Sequence, residues 1–182
     1  VQNADTLITI FGGSGFLGRE VVRVLAERHY RLRIAVRHPR LTGHPHSGGL
    51  GEIQAVRANV CLPRSVTAAV RDAEIVINLV GILLEDSRQQ FDAVHSEGAR
   101  MVARAAAQVG AQLIHVSAIG ADENSPARYA QSKAHGEAAV LAEMPGATIS
   151  GSGAWAADPP PSAPAARGRR TMPRNGTSGR KS

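Results

Sequence analysis

Tyr129-Ala130-Gln131-Ser132-Lys133 places a phenol and an ammonium four residues apart. On a helix those two side chains share a face. A lysine cation beside a tyrosine favours the phenolate and lowers a pKa that starts at about 10. Such a phenol can serve as a general acid or base near neutral pH. Ser117, just past the apolar run Leu113-Ile114-His115-Val116, could hydrogen-bond a substrate oxygen and orient it against the tyrosine. The bare spacing is common, and a surface tyrosine beside a solvated lysine is the plainer alternative.

A second constellation is organised for phosphate. Leu7-Ile8-Thr9-Ile10-Phe11 runs straight into Gly12-Gly13-Ser14-Gly15-Phe16-Leu17-Gly18, and a helical pattern follows. Gly12, Gly15 and Gly18 fit G-x-x-G-x-x-G; Gly13, Gly15 and Gly18 fit G-x-G-x-x-G. Glycine serves three needs there: a tight strand-to-helix turn, close approach of backbone to a pyrophosphate, and close packing of helix on strand. The helix N-terminus adds N–H groups and a partial positive charge. An ordinary glycine turn is the alternative, but the setting after a strand and before a helix is the one a dinucleotide site requires.

The elements that position these groups alternate. Strands are expected at 6–11, 31–36, 53–56, 74–79 and 112–116, with a sixth beginning at 147–149. Between them lie a helix capped by Ser14, a short helix opened by Pro63, a helix over about 87–109, and one opened by Ser125-Pro126 and running to about Glu143. Residues 38–51 read as a loop. Its His44-Pro45-His46 has no further ligands at metal spacing, so no metal site is expected. Strands alternating with helices imply right-handed βαβ units and a parallel sheet. Two halves in series give an α/β, doubly wound Rossmann fold of order 3-2-1-4-5-6, with the ligand across the carboxyl ends of the strands. An acidic residue ending the second strand would bind the ribose of NAD. Arg37 stands there instead, and a cation suits a ribose 2′-phosphate, so NADP(H) is favoured over NAD(H). A solvated surface arginine is the alternative.

Composition narrows the function classes. Of 182 residues, 43% are apolar and only 3% aromatic, which argues against a single-stranded nucleic-acid binder built on stacking. The formal charge is +6, yet residues 1–150 hold 15 basic against 14 acidic side chains. The excess sits in residues 151–182, with six basic residues and one acidic. That stretch contains no Val, Ile, Leu or Phe and half of the ten prolines. It cannot bury enough apolar surface to offset ordering entropy, so a domain at 1–150 and a disordered, low-complexity basic tail at 151–182 are expected. Its arginines support only weak, salt-sensitive phosphate attraction, not a specific nucleic-acid partner. Cys61 is the single cysteine, which suits a reducing compartment. No apolar run reaches the length of a membrane span, so a cytoplasmic location is expected.

The motifs occur in a fixed order: the glycine turn, Asn59-Val60 after strand three, Asn78-Leu79-Val80-Gly81 at strand four, Ser117 after strand five, and Tyr129 with Lys133 on the next helix. Together they resemble the short-chain dehydrogenase/reductase superfamily in its extended or atypical branch. Ile10–Gly18, Ala35-Val36-Arg37, His115–Ala121 and Tyr129–Ala134 look more narrowly like the group related to the NADPH-binding accessory subunit of respiratory complex I, often labelled NAD-dependent epimerase/dehydratase in bacteria. The resemblance covers about residues 6–150. It implies a pyrophosphate held by Gly12, Gly15 and Gly18 with the backbone at Ser14, Phe16 and Leu17. It implies a 2′-phosphate at Arg37, adenine beside Asn59 and Val60, and a cofactor wall of Leu79, Val80 and Gly81. It places Lys133 on the nicotinamide ribose and makes Tyr129 the acid/base, with Ser117, in members that turn over.

Three departures qualify it. Asn59 replaces the usual acidic residue, and Ala118 follows Ser117 where active members carry a second hydroxyl. Relatives continue past strand six with a substrate-binding portion, whereas residues 151–182 here suggest a truncated or frame-shifted product. Two function classes therefore stand. One is an oxidoreductase or epimerase in full-length form. The other is a non-catalytic, nucleotide-stabilised assembly factor of the respiratory NADH dehydrogenase, peripheral at the inner face of its membrane.

Overall fold

The computed structural model describes residues 3–41, 52–85 and 90–152. The first half comprises β1 (Leu7–Phe11), α1 (Phe16–Glu27), β2 (Arg31–Val36), β3 (Ile53–Arg57) and α2 (Pro63–Val70). The second comprises β4 (Ile75–Asn78), a π-helical segment (Asp92–Glu97), α3 (Gly98–Gln108), β5 (Gln112–Ala118), α4 (Arg128–Glu143) and β6 (Thr148–Ser152). All six strands are parallel, in the order β3-β2-β1-β4-β5-β6. That is the doubly wound sheet the alternating pattern implies.

Each face of the sheet has its own core. Ile8, Ile10, Leu32 and Ile34 pack with Val22 and Ala26 of α1. Phe11, Ala35 and Val76 pack with Val66 and Val70 of α2, Val102 and Ala106 of α3, and Val140 of α4. β1 is buried along its whole length, as a central strand covered on both sides must be. Its one hydroxyl, Thr9 Oγ1, donates to the Ala69 carbonyl at 3.1 Å.

Several boundaries differ from the sequence expectation. Gly15, not Ser14, caps α1, and no side chain supplies the cap bond. α4 begins at Arg128 because Ser125 is spent upstream: its Oγ accepts from the Ala127 amide at 3.2 Å. The long helix expected over 87–109 is divided into the π segment and α3. β5 runs on to Ala118, so Ser117 lies within the strand; pairing of Ser117 with Gly151 and of Ala118 with Ser152 extends it. β6 likewise passes the expected boundary at 150. The His44-Pro45-His46 loop, the helix start at Ser87 and nearly all of the basic tail lie outside the described residues. Among the described residues, no helix is long and apolar enough to cross a membrane.

Candidate functional site

A cleft of about 560 Å³ opens at the carboxyl ends of β1 to β4. Each strand end contributes to it: Gly12, Ser14 and Gly15 after β1, Arg37 after β2, Asn59, Val60 and Cys61 after β3, and Leu79 to Ile82 after β4. This is the crevice where the strand order reverses, and its size is in the range of small-molecule and cofactor sites.

The glycine turn is built by backbone contact. Gly12 has φ +80°, and a Cβ there would lie 2.9 Å from the Leu79 carbonyl carbon. A Cβ on Gly18 would overlap the Gly12 carbonyl oxygen, so Gly18 lets α1 close onto the turn. Gly15 differs. It is exposed, has φ −73°, and a Cβ would meet only the Gly12 oxygen at 3.3 Å. That single contact is tight but far less severe than those at Gly12 and Gly18, so the fold itself demands glycine least at this position. Arg19 N donates to Gly15 O at 3.0 Å, so the amides of Phe16 and Leu17 precede the first closed turn of α1. Their side chains stand in solvent, Phe16 at 96% exposure, and neither lines the cleft. These two residues can serve a pyrophosphate through backbone alone.

Across the cleft, Asn59 is fixed by an Asx turn. Its Oδ1 accepts from the Cys61 amide at 3.0 Å, and its own amide donates to Ser65 Oγ at 3.0 Å. Arg37 is exposed at the rim. Cys61 is half-buried; burial pushes its thiol up, and the nearby Arg37 cation pulls the other way.

The Tyr–Lys pair is arranged otherwise than its spacing suggests. Lys133 is only 4% exposed, and its Nζ donates to the Val116 carbonyl at 3.1 Å. Burial brings its pKa down to about 8, with Glu137 opposing. Tyr129 is half-buried, its ring edge-on to His95 (5.5 Å) and Phe91 (5.9 Å). Burial raises the phenol above its ordinary value, which corrects the expectation that Lys133 lowers it. Ser117 is 2% exposed. None of the three lines the cleft.

The structure thus brings together Gly12, Ser14, Gly15, Arg37, Asn59, Val60, Leu79, Val80 and Gly81 around one cleft. Gly18 supports them from behind, while Tyr129 and Lys133 lie on α4 and Ser117 in β5, outside the lining. Sequence reasoning passed over Cys61, Ile82 and Val94, which also line the cleft. Their residue types carry no signal: Cys61 and Ile82 are brought there by the register of β3 and β4, and Val94 by the π-helical segment. It also passed over His95 and His115, each buried and held down to a pKa of about 4 by burial and by Lys133. A histidine on the apolar face of a helix, and another alternating with Leu113 and Ser117 along β5, were the available signs.

A family model described as NAD(P)H-binding matches residues 12–147. Over 147 residues the chain is 37% identical to a ceramide reductase from Caulobacter vibrioides, covering 81% of this chain and 45% of that one. It is 34% identical over 143 residues to the mitochondrial NADH-ubiquinone oxidoreductase 40 kDa subunit of Neurospora crassa, covering 78% of this chain and 38% of that one. The chain therefore spans less than half the length of these relatives. Among solved structures, a short-chain dehydrogenase/reductase superfamily protein from Agrobacterium tumefaciens with bound NAD matches with a TM-score of 0.63 at 23% identity, over 79% of this chain and 48% of that one.

Proposed function

This chain belongs to the NAD(P)H-binding family, and from that premise we propose that it holds NADP(H) in preference to NAD(H), across the cleft above β1 to β4. The diphosphate rests on the glycine turn and the first amides of α1, adenine lies against Asn59 and Val60, and the nicotinamide half follows the wall from Leu79 to Gly81. The observation that carries the reading is Arg37 at the rim of the cleft that Gly12, Ser14 and Gly15 floor. A guanidinium there meets a 2′-phosphate with paired, charge-assisted hydrogen bonds.

A nicotinamide held in this cleft would supply or accept a hydride, as the name of the Caulobacter vibrioides reductase suggests. Tyr129 is the acid/base candidate, Lys133 its neighbour, and Ser117 the candidate for orienting substrate. Two observations favour a second reading: Lys133 is committed to the Val116 carbonyl and burial raises the Tyr129 phenol. A cation turned inward and a phenol harder to ionise suit a non-catalytic protein stabilised by its nucleotide, and the Neurospora crassa relative's name suggests a subunit of the NADH-ubiquinone oxidoreductase; we place such a subunit at the periphery of its membrane.

Calorimetric titration of NADPH and NADH on this chain and on Arg37→Glu tests the preference. The expected result is NADPH tighter by about tenfold, with the advantage abolished by the substitution. Equal affinity for both nucleotides in the unaltered chain contradicts it.

A further inference from the structure

The loop after β4 forms one wall of the cleft, and two of its amides are turned away from it. Val80 N donates to Asn78 Oδ1 at 3.2 Å, a local turn any asparagine can make. Ile82 N donates to His95 Nε2 at 2.9 Å, a bond reaching from the wall to the π-helical segment. Because a backbone amide can only donate, Nε2 must be the acceptor, and the ring proton of a neutral imidazole then sits on Nδ1. Nδ1 lies 2.9 Å from Ser132 Oγ on α4, and Ser132 Oγ donates in turn to the Tyr129 carbonyl at 2.7 Å. Every donor in the series is therefore assigned: Ile82 amide to His95, His95 to Ser132, Ser132 to the Tyr129 backbone.

The surroundings hold this ring in place. Phe91 stacks on it at 5.4 Å, and Tyr129 closes it edge-on. Gly136 lets α4 approach the His95 carbonyl, which a Cβ there would overlap. The next residue back, Val94, lines the cleft, while His95 is 2% exposed and faces α4. π segments of this kind recur at functional sites. The groups facing the ring are Lys133 and Tyr129 from α4 and His115 from β5. No carboxylate stands among the groups that shift its titration, and burial and the Lys133 charge hold it in the neutral form that the two-sided bonding requires.

We propose that His95 is a positioning residue for dinucleotide binding: as a neutral Nδ1–H imidazole it ties the Gly81–Ile82 wall of the cleft to the helix that carries Tyr129 and Lys133. The role rests on the dinucleotide reading of the cleft. It also sets how the wall and the Tyr129 helix move relative to each other, since each is hydrogen-bonded to the same ring.

Amide substitutions separate the two bonds. Glutamine places an acceptor near the position of Nε2 and can keep the Ile82 bond; asparagine reaches only the Nδ1 position and keeps Ser132 alone. His95→Gln, His95→Asn and His95→Ala are compared in the whole chain by hydrogen exchange at the Ile82 amide, by NADPH titration and by thermal unfolding. Nitrogen NMR of the unaltered chain reads the tautomer. The expected result is an Nδ1–H tautomer, Ile82 protection kept in His95→Gln, and exchange about tenfold faster in His95→Asn and His95→Ala. NADPH dissociation constants should follow the same order, with asparagine and alanine about tenfold weaker than glutamine. A merely structural histidine would lower the unfolding temperature in all three without separating glutamine from asparagine in affinity. That outcome, or an Nε2–H tautomer, overturns the proposal. Should the unaltered chain bind neither NADPH nor NADH while Ile82 protection follows the predicted order, the cofactor reading falls and the tether itself stands.

Discussion

The two halves of the sheet place their polar groups in opposite directions. In the half built on β1 to β3, the groups with chemistry face outward into the cleft: the Gly15 turn, Arg37 at the rim, Asn59 on its Asx turn. In the half built on β4 to β6 they face inward. Asn78 Nδ2 meets His115 Nδ1 at 3.1 Å, His95 meets Ser132, and Lys133 reaches the Val116 carbonyl. Buried polar groups need partners, and these have found them within the fold, His115 Nε2 excepted. The outward half presents its polar groups to the cleft, while the inward half has most of its titratable groups engaged in structure.

The contrast can be broken first through the turn. Gly18→Val forces a side chain against the Gly12 carbonyl and should destabilise by about 4 kcal/mol or more, or prevent folding, read by urea denaturation. A stable Gly18→Val chain would remove the close packing on which the outward half depends.

Acid tests the inward half. His95 and His115 have folded pKa values near 4, below the ordinary 6.5. Between those values the unfolded chain binds more protons than the folded one. Their stabilising effect is thus complete above pH 6.5 and is lost as pH falls toward 4. Each histidine should take away up to about 3 kcal/mol over that window, measured by chemical denaturation across pH. A flat profile there would mean the histidines are wetter than the structure has them.

Lys133→Met sharpens the comparison. A buried ammonium whose pKa falls from 10.5 to about 8 opposes folding at neutral pH. Removing it should stabilise the chain by about 1–2 kcal/mol after the lost Val116 bond is counted. Loss of stability instead would show that the cation is properly solvated or paired. Smallest is a rate: Cys61, the one thiol in the chain, lines the outward cleft. Saturating NADPH should slow its alkylation by iodoacetamide about fivefold, since a bound ligand shields what it covers.

What the sequence made legible follows the same division. The strand order, the glycine turn and Arg37 were readable because each depends on a local signal, a glycine pattern or a strand end, whereas Asn59, Val60, Leu79, Val80 and Gly81 were reached through the family resemblance. The inward half depends on what meets across elements. Tyr-x-x-x-Lys fixes a shared helix face but not how deep that face is buried, and burial is what raised Tyr129 and turned Lys133 onto a carbonyl. Nor does residue type distinguish a π segment from an α-helix, so the turn presenting Val94 to the cleft and His95 to α4 was not foreseen. Cys61 and Ile82 reach the cleft only through the parallel register of β3 and β4 beside their neighbours.

The central claim is that the turn after β1 receives a diphosphate on the end of α1. NADPH titration of Gly15→Leu, with its unfolding temperature measured alongside, tests this most directly. Gly15 is exposed with an ordinary φ of −73°, and a Cβ there would meet only the Gly12 carbonyl oxygen, at 3.3 Å, so the turn has to give by a few tenths of an ångström and the unfolding temperature shows whether it does. The account predicts that NADPH affinity drops by about a hundredfold, because the side chain fills the space over the first helical amides. Undiminished affinity in a folded Gly15→Leu chain would contradict it.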